Sequence, residues 1–585
     1  MRKGLLALLS FLSLSPLPRA PTGELRVAVR DSLTGYGLPG ALQIQGSSGE
    51  TRTFAIREWE QLRLSTIGGR WRISASSPGH AVLETQFEIS PGDSLPITLW
   101  LDPQTPPQVL QPQVRAALAV SGYATLHGYV TDASTGRPLE QVRVAARSSS
   151  AITDRNGYFV IRIPISPPGI DELPESADVQ LDRLGYGTLI LKRTLLSEGE
   201  THLIVELEPG AGTTERDNSH KLATAAEVMQ DSQLPPEVTG LSTSAPVWQP
   251  RTIDSGSALA QVIAPPDSIR VGEACSCTSC SSISVMSLET YVRRGLKDEW
   301  IASWTPHSLR AGAIAYRSYG TYYVYHPLRT NYDICNTTCC QVNSPGTNGR
   351  TDSAVGYTTG ILLERNGEVF RAEYSAENNN FGCGGTGCSN ASCLCGDGNA
   401  GSPGAGWPCV GESFDSGHAC SGHGRGMCQW GTQRAALQGQ LWSWIEDHYY
   451  NANGNPEGLR AAFVTSPLDI VDAYPDPAVV SAGDTLAINY SAFNYAELSH
   501  NQVLLGATLY SEDTGYISDS ANDAEVMLNP GSNDLARWFT VPDPTPPGSY
   551  DLLVGLWIDV DEDFAITDAD LPLVSYTFSG AVTVQ

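Results

Sequence analysis

The sequence predicts a multidomain protein in which all-β sandwiches flank a central α+β domain rich in disulfides. Three observations predict this class. Residues 24 to about 208 and 465 to 585 alternate apolar and polar side chains between Gly, Pro and Ser turns, as strands do. Helical periodicity is concentrated between about residues 261 and 452. All thirteen cysteines lie in that same stretch, from Cys275 to Cys428.

The chain is acidic, and much of the excess lies at its C-terminal end. It has 36 Lys and Arg against 63 Asp and Glu, a formal net charge of −27. Residues 465–585 contain nineteen acidic side chains and one basic side chain, Arg537, hence a net charge of −18. Because phosphate groups would be repelled, nucleic acid or an anionic membrane is excluded as the main partner.

Residues 1–20 are predicted to be a signal peptide. Three residues with two basic side chains, Met1–Lys3, precede an apolar stretch, Gly4–Leu17, that is shorter than the roughly 20 residues of a bilayer span. We therefore expect an exported protein that is periplasmic, cell-surface or extracellular, with no integral membrane segment once the peptide is removed. In such a compartment clustered cysteines indicate disulfides, and their odd number leaves at least one sulfur for another role.

The N-terminal part contains two β-rich units, residues 24–105 and 119–208. The run Asp31–Gly35 recurs as Asp132–Gly136, each time between a strand and a Pro-containing turn. The second unit clearly resembles the carboxypeptidase regulatory-like β-sandwich, and the first resembles it weakly. Neither unit has a cluster of titratable side chains that looks catalytic, so we expect spacers or adhesive modules. Residues 209–260 are predicted to be a linker.

Residues 465–585 are predicted to form an acidic immunoglobulin-like β-sandwich. Its acidic run, Asp559–Asp563, places carboxylates at alternating positions, as calcium loops do. However, Phe564 occupies the position where such a loop needs glycine, and Asp570 the position of its bidentate glutamate. A solvated acidic loop is therefore favoured over a calcium site.

Glu299 is the candidate catalytic residue of the central segment (residues 261–452). Ser287 can cap a helix that starts at Leu288, and Thr305-Pro306 can start a second helix, which leaves Glu299 at the break between them. Neighbouring indoles, Trp300 and Trp304, would favour the protonated form of its carboxyl and fit it for general acid chemistry. On these residues alone, a solvated or ion-paired glutamate is the favoured alternative.

Six ordered blocks in this segment resemble the stage II sporulation protein D / amidase enhancer (SpoIID/LytB) family. The resemblance covers about 190 residues. The blocks are residues 287–292, 299–304, 309–319, 333–342, 373–376 and 422–431. Departures from the family include Gly312 in place of a frequent glutamine, Cys428 in place of serine, and a Cys/Gly-rich insert from Gly382 to Cys409.

The resemblance implies a peptidoglycan lytic transglycosylase that cleaves the MurNAc–GlcNAc bond of glycan strands, with Glu299 as general acid and base. One carboxyl is sufficient if the sugar's own 6-hydroxyl closes a 1,6-anhydro ring. Two alternatives stay open at this point. The chain could be a non-catalytic wall-binding protein that enhances a separate amidase, or a surface adhesin.

The resemblance also implies further site residues. Zinc is a possible cofactor at Cys335, Cys339 and Cys340, where the family usually has a histidine at the middle position; the alternative is that two of the three form a disulfide. Arg317 could bind substrate or form a buried ion pair. His423 could contact substrate or have a structural role in its own loop. The full set of candidate substrate-binding residues is Arg317, Tyr374, Ser375, His423, Gln429 and Trp430.

Overall fold

The computed structural model of the protein describes residues 22–46, 49–104, 120–169, 171–218, 263–276, 279–337, 339–365, 367–377, 426–451, 462–496 and 498–585. The predicted signal peptide, most of the predicted linker, the Cys/Gly-rich insert and His423 lie outside these residues. Strands predominate in the described chain, and its α-helices all lie between residues 288 and 446. None of these helices is long and apolar enough to cross a bilayer.

The first N-terminal unit is a two-layer β-sandwich. On β1, Leu25, Val27 and Val29 are buried while the residues between them are partly exposed, which is the alternation that predicted the strand. Strands β3-β2-β5-β6 form one sheet, and β7-β1-β4 lie in the other. The strands are β1 Thr22–Asp31, β2 Gly40–Gly46, β3 Thr51–Ile56, β4 Gln61–Ile67, β5 Gly69–Ser76, β6 Leu83–Ile89 and β7 Ser94–Leu101.

The second unit repeats this plan with its own apolar core. Its sheets have the strand orders β10-β9-β12-β13-β15 and β11-β8-β14. The strands are β8 Tyr123–Asp132, β9 Arg143–Ala146, β10 Ser149–Ile152, β11 Tyr158–Pro164, β12 Ser176–Asp182, β13 Thr188–Leu195, β14 Gly199–Leu207 and β15 Thr213–Asp217.

The central domain combines short strands with five α-helices among its described residues. In chain order, these strands and helices are β16 Ser268–Ser276, β17 Ser279–Ser287, α1 Leu288–Glu299, α2 Pro306–Tyr325, β18 Ile334–Cys335, β19 Gly346–Asn348, α3 Gly349–Tyr357, β20 Leu362–Arg365, β21 Glu368–Val369, β22 Tyr374–Ser375, β23 Met427–Cys428, α4 Gln429–Leu437 and α5 Trp442–Glu446. One π-helical turn, Asp447–Asn451, follows α5.

Both N-terminal sandwiches share sheets with the central domain. Strand β7 pairs in parallel with β17, with Ile97 opposite Ile283. Strand β14 pairs antiparallel with β19, with Leu203 opposite Gly346. Backbone hydrogen bonds therefore join each N-terminal unit to the central domain. That these units act as spacers or adhesive modules stays a prediction.

The boundaries of α1 and α2 agree with their sequence signals. The Ser287 hydroxyl accepts a hydrogen bond from the backbone N–H of Thr290 and caps α1, and Pro306 occupies the first turn of α2. Helix α1 nevertheless runs through Gly295 to Glu299. Gly295 serves packing, since a Cβ there would lie 1.8 Å from the Tyr316 hydroxyl.

The C-terminal unit is a β-sandwich that packs against the central domain. Its sheets have the orders β25-β27-β31 and β26-β33-β32-β28-β29, with β30 beside β28. The Tyr357 hydroxyl donates to the backbone carbonyl of Asp559, and Arg310 is paired with Glu562. Strand β24, Phe463–Thr465, precedes this unit and pairs with β20 of the central domain. The strands of the sandwich are β25 Leu468–Asp476, β26 Val479–Val480, β27 Thr485–Asn494, β28 His500–Ser511, β29 Gly515–Ser518, β30 Ala524–Leu528, β31 Gly531–Thr540, β32 Gly548–Ile558 and β33 Leu571–Val584.

Candidate active site

Glu299 is the last residue of α1, and only 4% of its surface is exposed. Its Oε1 accepts a 2.7 Å hydrogen bond from the backbone N–H of Val342. Its backbone carbonyl accepts a 2.7 Å bond from the Gln429 side-chain amide. Two of the family blocks, residues 333–342 with its clustered cysteines and residues 422–431, therefore meet at this glutamate.

The other end of α1 is held by the first N-terminal sandwich. Asp102, which directly follows β7, accepts a 2.8 Å hydrogen bond from the Thr290 hydroxyl and a second bond from the Ser287 hydroxyl. A carboxylate at this position also interacts favourably with the positive end of the helix dipole. Sequence reasoning missed Asp102, because nothing local connects a residue of one sandwich with a helix that starts 186 positions later.

Three buried tyrosines, Tyr291, Tyr316 and Tyr374, surround the end of α1. Burial is the main reason that the pKa of each is raised well above its ordinary value, and the negative charge of Glu299 adds to the rise in all three. The three phenols therefore stay protonated and can donate hydrogen bonds near the carboxylate. The spacing of Tyr291 on α1 indicates only an apolar helix position, and its hydroxyl acquires a role through the tertiary structure.

The residues after the cysteine block tie these tyrosines together. The Tyr291 hydroxyl donates to Gln341 Oε1 at 2.6 Å, and Gln341 Nε2 donates to the Tyr374 hydroxyl at 2.9 Å. The Tyr316 hydroxyl donates to the backbone carbonyl of Val342 at 2.9 Å. Residues 341–343 thus form a polar frame around Glu299.

The predicted indoles lie in this region but stack on other rings. Trp300 is fully buried, and its ring lies edge-on to Tyr374 with 4.8 Å between centroids. Trp304 pairs with Trp430 at 4.9 Å. Gly312, where the family often has glutamine, makes room for Trp300, since a Cβ there would come within 2.5 Å of the indole.

Arg317 is not a substrate ligand in this structure, and this prediction is corrected. Its guanidinium is fully buried and makes two bonds to Glu289, of 2.9 and 2.8 Å. It also donates to the backbone carbonyls of Val355 and Ile361. A buried cation with this many partners has no surface left for a ligand, so the ion-pair alternative holds.

The remaining predicted substrate residues differ in where they lie. Tyr374 contacts the frame around Glu299, whereas Ser375, beside it on β22, is completely buried in register with Cys428. Gln429 is also buried and holds the backbone of Glu299, which makes it a positioning residue. Trp430 is buried against Trp304.

The predicted zinc ligands do not fit a zinc ion in this structure. Cys335 and Cys340 form a disulfide with each other, and Cys339 is also disulfide-bonded. Zinc binds thiolates, and a sulfur in a disulfide offers none. We therefore correct this prediction in favour of the disulfide alternative. A further disulfide, Cys275–Cys280, joins β16 to β17.

Cys428 stands apart from the disulfide-bonded cysteines among the described residues. It is a buried thiol at the start of α4, and its Sγ accepts a 3.2 Å hydrogen bond from the backbone N–H of Gly431. The cysteine thus caps the helix at the position where the family has serine.

The acidic loop of the C-terminal sandwich has oxygen atoms that suit a hard cation. Carboxylate oxygens of Asp559, Asp561 and Asp563 lie within 4.8 Å of one another. Phe564 adopts φ 65°, the left-handed conformation that the glycine of a calcium loop supplies. Asp570 instead accepts hydrogen bonds from the backbone N–H groups of Val560 and Thr567. Calcium and a solvated loop both stay open as predictions.

The family model described as "SpoIID: Stage II sporulation protein" matches residues 276–364. The match includes α1 with Glu299, all of α2 and β18, and the three clustered cysteines, whereas Tyr374, Gln429 and Trp430 lie beyond it. No curated protein matches the chain. The resemblance of the N-terminal units to carboxypeptidase regulatory-like domains therefore stays a prediction.

Solved structures match parts of the chain at low similarity. The Bacillus anthracis TIE protein is 12% identical over 32% of this chain and 34% of its own length, with a TM-score of 0.13. The C-terminal domain of Wzt is 14% identical over 21% of this chain and 75% of its own, with a TM-score of 0.16. The CARDB domain of the Pyrococcus furiosus PF1109 protein is 18% identical over 20% of this chain and 94% of its own length, with a TM-score of 0.13. These TM-scores are too low to support an inference, so the family match stands alone: the central part of this chain carries a SpoIID domain.

Proposed function

We propose that the protein is an exported lytic transglycosylase that cleaves the MurNAc–GlcNAc bond of peptidoglycan strands, with Glu299 as its general acid and base. The SpoIID domain relates the chain to a cell-wall lytic family. The observation that carries the finer proposal is the position of Glu299, a buried carboxyl held at Oε1 by Val342 and at its carbonyl by Gln429. Disulfides at Cys275–Cys280 and Cys335–Cys340 support an oxidising compartment.

The proposed reaction needs one carboxyl and no water. Protonated Glu299 gives its proton to the glycosidic oxygen, the C1–O bond breaks, and positive charge develops on the sugar ring. The 6-hydroxyl of the same sugar then attacks C1 and passes its proton to the Glu299 carboxylate. The products are a shortened strand and a 1,6-anhydro end, and the glutamate returns to its starting state.

Other residues of the site would assist without exchanging protons. Protonated Tyr374 can donate a hydrogen bond to the sugar or to the carboxylate. Gln429 and Val342 would keep the carboxyl aimed at the bond. We also propose Tyr374, His423 and Trp430 as substrate contacts, with Tyr374 the one supported by its place in the frame. Ser375 has no exposed surface and is left out of this proposal.

The test is digestion of peptide-stripped glycan strands by the full chain, read by mass spectrometry. We expect 1,6-anhydro products from the parent and, for Glu299→Gln, a fall in rate of roughly 100-fold or more, the range of general acid catalysis. Glu368→Gln, an exposed glutamate of the same domain, is the matched control and should keep the parent rate. Equal rates for Glu299→Gln and Glu368→Gln would reject the assigned acid.

The same digestion separates the alternative functions. A non-catalytic enhancer of an amidase would bind the strands, release no anhydro-sugar, and raise the rate of an added amidase. A surface adhesin would show neither effect.

A further inference from the structure

The outer face of one C-terminal sheet exposes two large aromatic side chains. Strands β25, β27 and β31 form a three-stranded sheet whose inner face is buried in the sandwich core through residues such as Leu486 and Ile488. On the outer face, Tyr474 of β25 is 54% exposed and Trp538 of β31 is 62% exposed. The contacts that Asp559 and Glu562 make with the central domain belong to a different loop of the sandwich.

In the register of the sheet, the two rings lie on either side of the central strand β27. Tyr474 lies opposite Asn489, which in turn lies opposite Ala536, and Trp538 lies opposite Ala487 in the next row. The rings are thus two strands and two residues apart, about 12 Å from standard sheet spacings. Only Ala487, Asn489 and Ala536 lie between them, so this face is a shallow trough with an aromatic ring at each of two diagonal corners.

Polar groups that can accept hydrogen bonds line this trough. Asp476 lies opposite Ala487, and Asp472 and Asp534 flank Ser491 in the adjoining row. Among the described residues, no side chain forms a hydrogen bond or ion pair with Asp472, Asp476 or Asn489. These acceptors are therefore available to a partner. The Ser491 hydroxyl donates to Asp534 at 3.2 Å.

We propose that this trough (Asp472, Tyr474, Asp476, Ala487, Asn489, Ser491, Asp534, Ala536 and Trp538) binds an uncharged stretch of glycan. Apolar sugar faces pack on aromatic rings, and sugar hydroxyls donate to carboxylates and amides. The charge of the unit excludes polyanions, because residues 465–585 carry −18 and three carboxylates lie in the trough itself. That this uncharged stretch comprises N-acetylglucosamine units of the peptidoglycan strand rests on the proposed function of the SpoIID domain.

Binding is measured in the Glu299→Gln full chain, which leaves the polymer uncut. The probes are insoluble chitin, an uncharged polymer of N-acetylglucosamine, by co-sedimentation, and a soluble hexamer of N-acetylglucosamine, by calorimetry. Adding Tyr474→Ala and Trp538→Ala should weaken binding to both probes roughly tenfold or more. The control is Tyr516→Ala, which removes a tyrosine that is 71% exposed on β29 of the opposite sheet. Unchanged melting temperatures show that the variants fold.

Three results would overturn the inference. The Glu299→Gln chain could fail to bind either probe, the double variant could bind like its parent, or Tyr516→Ala could weaken binding as much as the double variant. With Glu299 intact, the double variant should degrade insoluble strands more slowly and short soluble strands at the parent rate. Trough-dependent binding without any anhydro product would reject the proposed function and leave this inference standing.

Discussion

The backbone N–H of Val342 donates a 2.7 Å hydrogen bond to Oε1 of Glu299. Val342 comes two residues after Cys340, whose disulfide to Cys335 closes a short loop. The structure thereby connects a covalent link in one segment to the orientation of the carboxyl at the end of α1.

Removing this donor should impair catalysis without unfolding the domain. Val342→Pro lacks the N–H, whereas Val342→Ala keeps it and serves as the control. Since hydrogen bonds to charged groups contribute about 1.5–3 kcal/mol, we expect kcat for glycan cleavage to fall at least roughly tenfold in the proline variant. Steady-state kinetics with circular dichroism of both variants is the measurement. Equal kcat for the two would show that the bond does not matter.

The Cys335–Cys340 disulfide should help to orient the Glu299 carboxyl, and it should prevent zinc from binding at these cysteines. In Cys335→Ser/Cys340→Ser the segment that carries Gln341 and Val342 loses its closure, so we expect lower activity and lower thermal stability. Metal analysis of the purified parent should find zinc well below one ion per chain. A stoichiometric zinc ion together with titratable thiols at these positions would restore the zinc prediction.

Asp102 should stabilise the SpoIID domain from outside it. Asp102→Ala removes the acceptor for the Ser287 and Thr290 hydroxyls at the start of α1. We expect the free energy of unfolding to fall by about 1–2 kcal/mol, measured by urea titration. Asp93→Asn, on an exposed turn of the same sandwich, is the control and should unfold like the parent.

Glu446 should make the protein less stable as the pH rises. Its carboxyl is completely buried, and both oxygens lack a hydrogen-bond partner in the described structure. Burial raises its pKa well above 4.5, so the folded protein keeps a proton that the unfolded chain loses. Stability therefore declines from about pH 4.5 upward, at about 1.4 kcal/mol per pH unit, until the pH reaches the raised pKa.

Glu446→Gln isolates this effect, because the amide has nearly the same shape and does not titrate. Its unfolding free energy should exceed that of the parent at pH 7, and the two should converge near pH 4. The measurement is urea unfolding at several pH values, with Glu368→Gln as the surface control. A parent and a Glu446→Gln variant with parallel pH profiles would contradict the expectation.

Local signals in the sequence were sufficient for the helices that present Glu299. Ser287 as a cap, Pro306 in a first turn and the apolar spacing between them depend on neighbours within a few residues, and the structure confirms both helices. The break at Glu299 and the order of the family blocks follow from the same short-range information. The reason for a glycine at position 295, inside α1, is not local, because its partner Tyr316 belongs to the other helix.

The β-rich plan, the SpoIID segment and the candidate acid could be predicted from residue order, since alternation, capping and motif order are properties of neighbouring residues. The groups that hold that acid became visible only in the folded chain. Val342 contributes a backbone N–H that no side-chain pattern reveals, Asp102 arrives from another domain, and the choice between thiolates and a disulfide at Cys335 and Cys340 depends on which sulfurs the fold brings together. Contacts between residues far apart in the chain form only when the sheets and helices pack, which is why residue order alone did not contain them.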